Sequence, residues 1–341
     1  VEGVNHHAKG GTEDSTDVCG VFMDKSTVAT GMGDGDVILW KGLNSVKRIK
    51  GVHGSAIMDV AATADYLITG GLDGCVKVWR ADTLLARSPA LVSQLPNLSR
   101  GSASASVRSL SIHRLGTVLA IGLSCNELFT VDLAEHSSAP QMLAQSHALP
   151  HSPADNINNN RAGICLSSHP DEPLCLTAGR DGSVRKLDLE SMSRRGASAR
   201  LGCAATATAW SPDGFLVAVG TDVGTVVLLD AQSLQVHWTS EGQEKMMNYV
   251  MCLAFSPDGK RLAVVGDRAV EGAEEGTCVA LLLPIDDLAR PATLLEEIVL
   301  EGALCAIEWT NNRRPGRDQT PISFSLFLSL PISLFLSLSL S

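Results

Sequence analysis

The residues best suited to chemistry in this chain are Cys165, His169 and Cys175, a glycine-rich stretch at 31–35, and the histidines at 6, 7, 147 and 151. Thiolate and imidazole are zinc ligands, but a structural zinc site needs four of them at finger or ribbon spacings. Cys165, His169 and Cys175 follow no such spacing and no fourth ligand accompanies them, so His169-Pro170 reads as a turn. Gly31 to Gly35 (GMGDG) has the look of a phosphate loop. A phosphate cradle wants a following helix N-terminus and a lysine. Here Asp34 and Asp36 would repel phosphate and VILW continues as a strand. His6, His7, His147 and His151 fall in polar linkers, and residues 147–160 (HALPHSPADNINNN) read as a long surface loop. No nucleophile elbow and no paired-carboxylate signature is present, as acyl transfer or acid–base work would require. The reading is therefore non-enzymatic, with no catalytic, cofactor-binding or metal residue assigned.

The elements that would have to hold any site are more informative. The 341 residues are 45% hydrophobic and 19% charged, enough apolar material for a large core, yet only 4% are aromatic. The net charge of -10 opposes nucleic acid and anionic lipid, which want a basic surface. The nine cysteines are scattered, odd in number and mostly within apolar runs, which fits a reducing, cytoplasmic compartment rather than a disulfide framework. The first twenty residues are too polar for a signal peptide. The chain opens on Val1, as a fragment or an incomplete gene would. Residues 321–341 alternate Ser and Leu with Pro331 in the middle. They read as disordered low complexity or a translation artefact, with an inserted membrane helix or a strand as alternatives.

Between these ends the sequence repeats itself. TGMGDGDVILW (Thr30 to Trp40), TGGLDGCVKVW (Thr69 to Trp79) and TAGRDGSVRKL (Thr177 to Leu187) share their Thr, Asp-Gly and Val positions. Fainter copies follow Ile121, Val219 and Val265. Measured at Gly35, Gly74, Asn126, Gly182, Gly224 and Gly276, the spacings are 39, 52, 56, 42 and 52 residues. Each copy is two short apolar runs around an Asp-Gly-type turn, a hairpin signal. Further runs lie upstream, as before and after the SPD turns at 211–213 and 256–258, and downstream, as at 235–238. Four short strands per unit of this length mark a β-propeller blade. The expected fold is all-β: six blades plus part of a seventh, opened by Ala303 to Trp309 (ALCAIEW). The expected divisions are a disordered segment at 1–17, the propeller at 18–312 and the tail at 313–341. The propeller either closes imperfectly with six to seven blades or straddles the seam of a tandem pair.

These units resemble WD repeats. The resemblance implies a hydrogen-bonded structural set in each blade: His53, Thr69, Asp73 and Trp79 in one unit, Thr30, Asp34 and Trp40 in another, Thr177 and Asp181 in a third. The irregular blade lengths, with GDGDVILWKG at 33–42, the stretch from Val52 to Trp79, and residues 163–188, 210–230 and 249–266, are similar to the echinoderm microtubule-associated protein-like family. That likeness implies tandem atypical propellers that bind tubulin, and a place on the cytoskeleton. It lacks here the family's coiled coil and basic N-terminal region. Two basic clusters are the candidate contacts with the acidic tubulin surface: Lys41, Lys47, Arg48 and Lys50, and Arg185, Lys186, Arg194 and Arg195. A third lies at Arg313, Arg314 and Arg317. The other expectation is a generic WD scaffold in a ciliary or ubiquitin-ligase assembly, with no membrane contact unless the tail inserts.

Overall fold

The computed structural model describes residues 17–24, 27–41, 44–95, 98, 105–113, 118–125, 127–133, 141–143, 164–191, 193–240, 247–267, 278–285, 296–300, 303–311, 322–329 and 334–340. Among them the only helical element is a single 3-10 turn, Ala81–Thr83; everything else regular is strand. No helix among the described residues is long and apolar enough to cross a membrane.

Six sheets have four strands each, taken in sequence order. Blade 1 is β1 (Asp17–Phe22), β2 (Thr27–Met32), β3 (Val37–Lys41) and β4 (Asn44–Ile49). Blade 2 is β5 (Ile57–Ala62), β6 (Tyr66–Gly71), β7 (Val76–Arg80) and β8 (Leu91–Leu95). Blade 3 is β9 (Val107–Ile112), β10 (Val118–Leu123), β11 (Leu128–Asp132) and β12 (Gln141–Leu143). Blade 4 is β13 (Cys165–Ser168), β14 (Leu174–Ala178), β15 (Ser183–Asp188) and β16 (Ser193–Arg200). Blade 5 is β17 (Ala205–Trp210), β18 (Leu216–Thr221), β19 (Val226–Asp230) and β20 (Val236–Thr239). Blade 6 is β21 (Tyr249–Phe255), β22 (Arg261–Asp267), β23 (Cys278–Pro284) and β24 (Glu296–Leu300). A seventh sheet has three strands, β25 (Ala303–Asn311), β26 (Ile322–Ser329) and β27 (Leu334–Leu340). Its last two strands come from the Ser/Leu segment; β26 pairs antiparallel with β25, and β27 with β26.

The first strands form the inner ring. β1 touches β5, β5 touches β9, and the series runs on through β13, β17 and β21 to β25, which meets β1. Meandering blades of this kind put two sets of connections on opposite faces. The turns between strands one and two, and three and four, share one face with each other. The turns between strands two and three share the other with the blade-to-blade links.

The Asp-Gly repeats are the hairpins between second and third strands. Gly35, Gly74, Gly182 and Gly224 each have positive φ there, a conformation that costs glycine nothing. Second strands are buried on both faces, as Thr27–Met32 and Leu216–Thr221 show, so they read as continuous apolar runs. The core consists of slabs between neighbouring blades. Ile68, Val76 and Val78 of blade 2 pack with Leu119, Ile121 and Val131 of blade 3. Leu176 and Val184 of blade 4 meet Val217 and Leu229 of blade 5 in the same way.

At three junctions a single glycine sets how closely the slabs approach. A Cβ on Gly31 would sit 2.5 Å from Ile57 Cγ2, and those on Gly70 and Gly220 would overlap Val107 and Val250. In each case the obstacle is a residue at the start of the next blade's first strand. The glycine in the second strand is thus the socket for the following blade.

Candidate interaction surface

The structural sets come first, because they fix the hairpins that shape one face. In blade 2, His53 bridges two groups: its Nδ1 lies 3.1 Å from both Asp73 carboxylate oxygens and its Nε2 lies 2.9 Å from Thr69 Oγ1. Burial holds the His53 pKa below the usual histidine range, against the upward pull of Asp73. A neutral ring that donates from Nδ1 to Asp73 and accepts from Thr69 satisfies all three. Burial pushes Asp73 up, but the Cys75 amide and His53 outweigh it and hold the carboxyl below its ordinary value. Trp79 does not join this chain: its Nε1 is buried without a hydrogen-bond partner.

Blade 1 arranges the same residue types differently. Trp40 Nε1 donates to Thr30 Oγ1 at 2.9 Å. Asp34 accepts the Asp36 amide and pairs with Arg48, which also donates to Asp36 at 2.6 Å. In blade 4, Thr177 donates to the Arg185 carbonyl, while Asp181 accepts from Ser183 and faces the Arg185 guanidinium at 3.5 Å.

The basic residues separate into those engaged within the chain and those presented outward. Arg48 is held by Asp34 and Asp36, chiefly through its hydrogen bond to Asp36, which raises its pKa. Lys47 donates from Nζ to the Ala86 carbonyl of blade 2. Lys41 and Lys50 are exposed but sit at opposite ends of the blade. The blade 1 cluster is therefore not a single patch. Lys186 is buried, and its ammonium donates to the carbonyls of Ala231 (2.7 Å) and Gln232 (2.6 Å). It is a clasp between blades 4 and 5, out of a partner's reach, and burial lowers its pKa.

Arg194, Arg195 and Arg200 are exposed along β16, the outermost strand of blade 4. Arg195 pairs with Asp188 at 3.2 Å. The register sets Arg194 opposite Leu187 and Arg200 opposite Ser183, on the face that carries Arg185. Burial lowers the Arg185 pKa, Asp181 raises it, and both Arg194 and Arg200 lower it again. These arginines feel one another, so β16 is a locally positive rim on an acidic protein. Arg313, Arg314 and Arg317 lie outside the described residues, as do His6, His7, His147 and His151.

The opposite sign collects on the face of the first-to-second-strand turns. Asp171, Glu172, Asp213 and Asp258 are exposed there, and Phe215 stands among them with 71% of its surface in solvent. Of the other residues singled out for chemistry, Cys175 and His169 are buried and Cys165 is half-buried. Cys175 Sγ donates to the Leu176 carbonyl and Cys165 Sγ to the Ala205 carbonyl, and burial pushes both thiols up to about 12. His169 Nδ1 accepts the amides of Asp171 and Glu172, and its ring meets Trp210 edge-on. Among the described residues no group of three or more His, Cys, Asp or Glu could hold a metal ion.

A feature absent from the sequence expectations is a set of side chains that tie one first strand to the next. Cys19 reaches the Ile57 carbonyl, Ser109 the Ile164 carbonyl, and Thr206 the Val250 carbonyl. Aligning the first strands, rather than the hairpins, would have exposed this polar position.

Comparison with known proteins agrees with this architecture. The family described as WD domain, G-beta repeat matches residues 45–80, 153–187 and 238–271. The match at 45–80 starts in β4 and ends in β7, so a sequence repeat is offset from a blade by one strand. The β-propeller domain of Cps50 (Swd1) from Myceliophteria thermophila superposes with a TM-score of 0.68, covering 99% of this chain and 100% of that one at 15% identity. The chain is a WD-repeat β-propeller. Among curated proteins it is 25% identical over 254 residues to Echinoderm microtubule-associated protein-like 2 of Mus musculus, and equally to that of Homo sapiens. It is likewise 25% identical over 264 residues to Echinoderm microtubule-associated protein-like 3 of Homo sapiens. It is thus a propeller related to the echinoderm microtubule-associated protein-like proteins. These matches take in 72% of this chain but only 34% and 26% of those proteins.

Proposed function

We propose that this propeller is a protein-interaction module that binds microtubules in the cytoplasm, with the outer rim of blade 4 as its contact. WD propellers are in general non-enzymatic scaffolds that bind proteins. The relationship to proteins named for microtubule association carries the choice of partner. The exposed arginines of β16 supply a surface whose sign suits an acidic partner despite the net charge of -10, because local patches steer association over about a Debye length. Arg48 and Lys186, being engaged within the chain, are not part of that contact.

Co-sedimentation of the full chain with microtubules over a salt series tests this. Saturable pelleting that fades with salt is the expected result. Arg194→Glu, Arg195→Glu and Arg200→Glu together should weaken it at least tenfold and flatten its salt dependence. Binding untouched by the triple variant would remove blade 4 from the contact, and a folded chain that never pellets would overturn the microtubule reading.

A scaffold for a different partner, as in a ciliary or ubiquitin-ligase assembly, is the second reading. Phe215, so exposed among Asp213, Asp171 and Glu172, favours it, since that face fits a basic partner with an apolar anchor.

A further inference from the structure

Each blade ends on an outermost strand with a neighbour on one side only, and a free edge invites a further strand. The outermost strands differ in how far they offer that edge. β4 carries Lys47 and Arg48, but both are held within the chain. β8 (LVSQL), β20 (VHWT) and β27 (LFLSLSL) have no Lys or Arg. β12 is three residues long, and β24 opens with Glu296 and Glu297. β16 is different: eight residues, Ser193–Arg200, with three arginines and no acid. Those arginines are exposed, as are Ser193, Gly196 and Ser198. Among the described residues β15 is the one strand it pairs with.

The register shows what a guest strand would meet. Ser198 stands opposite Arg185, Arg200 opposite Ser183 and Arg194 opposite Leu187. Directly paired residues share a face, so Arg185, Arg194 and Arg200 lie on one side of the sheet edge. Arg195 turns to Asp188 at 3.2 Å. The ladder is irregular between Arg185 and Leu187, where Gly196 takes a φ of 73°. That bulge splits the free edge into two short runs, so main-chain bonds alone would hold a guest weakly.

We propose that β16 takes an extended acidic segment of a partner protein as a fifth strand of blade 4. This rests on the reading of blade 4 as the contact and names the form of what binds there. Main-chain hydrogen bonds to the free edge hold the segment, while guanidiniums meet its carboxylates. Strand side chains alternate between faces, so acidic residues at every second position line up with Arg185, Arg194 and Arg200. Spanning the edge takes about eight residues, roughly 27 Å of extended chain. The same arginines exclude the other occupant of a free edge, because a second copy would bring its own arginines against them.

The test uses the full chain and two end-capped peptides of eight glutamates, one plain and one N-methylated at every amide. Both carry the same charge, but the methylated peptide has no N–H to give to a ladder. Calorimetry should show the plain peptide binding at low salt and fading as salt rises. Exchange of the β16 amides that face away from β15 should slow at least tenfold when it binds. The methylated peptide should bind at least tenfold more weakly and slow none of them. Equal binding of the two peptides, or binding that leaves those amides unslowed, would overturn the strand addition. So would no binding to a chain whose circular dichroism shows it folded. Phosphatidylserine vesicles that bind more tightly than the peptide, with the amides unslowed, would overturn it in favour of a membrane.

Microtubule pelleting separates this from the broader reading. If the arginine variants abolish pelleting while the peptides leave the amides unslowed, the blade 4 contact stands and the added strand falls. If the amides slow but the folded chain never pellets, the added strand stands and the microtubule partner falls.

Discussion

Trp40 and Trp79 occupy the same place in their blades, next to the end of the hairpin's second arm, yet only one is wired. Trp40 donates to Thr30 at 2.9 Å, while the Trp79 Nε1 is buried with no hydrogen-bond partner. A buried donor left alone costs about 1–3 kcal/mol, whereas a made bond contributes about 1 kcal/mol. Trp40→Phe removes a bond and leaves Thr30 without its donor. Trp79→Phe removes a polar atom that had no bond to lose. The first should therefore destabilise by about 1–2 kcal/mol more than the second, read from chemical denaturation midpoints; equal losses would mean that both rings act through packing alone. Residue types in the repeat were legible in the sequence, but the wiring was not. It depends on ring tilt and on which side chain reaches the hairpin acid: His53 for Asp73, Arg48 for Asp34, Arg185 for Asp181.

Elements show the same division between what pattern reveals and what assembly decides. Hairpins at Gly35, Gly74, Gly182 and Gly224 were legible because an Asp-Gly pair between apolar runs demands a turn with positive φ. Cations were misjudged, since a Lys in a strand reads as solvated until its register is known. Lys186 lies between half-buried Arg185 and buried Leu187 and enters the blade 4–5 interface, where its length lets the ammonium reach two carbonyls. The second-strand glycines belong to the element scale too, for their role is to admit the next blade. Gly220→Ala would drive a Cβ into Val250, and overpacking of this kind costs about 1–3 kcal/mol. Gly202→Ala, where a Cβ would meet nothing within 4 Å, should leave stability nearly unchanged. Thermal unfolding of the two variants side by side separates a packing socket from a general dislike of alanine; similar shifts in both would discard the socket.

At the scale of the molecule, a propeller has to solve the problem of its two open ends. Each blade buries its faces against its neighbours, so a missing blade exposes two apolar faces at once. Six blades were legible from the repeat, and the strand at Ala303–Asn311 from its own apolar run. The pairing of 322–329 and 334–340 was not: Pro331 marks a break between the two runs, but a Ser/Leu alternation carries no partner signal and suits any exposed sheet edge equally. In the fold this seventh sheet fills the gap: β25 touches β21 on one side and β1 on the other. Ending the chain at Asp318 would delete β26 and β27 and leave β25 as a single strand between blades 6 and 1. Strands one ladder wide hold poorly, since most of their backbone groups then face solvent. The shortened chain should melt about 1.5–3 °C lower, the shift expected for a loss of about 1–2 kcal/mol in a domain this large. Its extra proteolytic cleavage should fall in blades 1 and 6, beside the gap, and not in blades 3 and 4. An unchanged melting temperature with unchanged cleavage would mean that β25 alone closes the ring, and that the Ser/Leu strands add nothing to the stability of the disc.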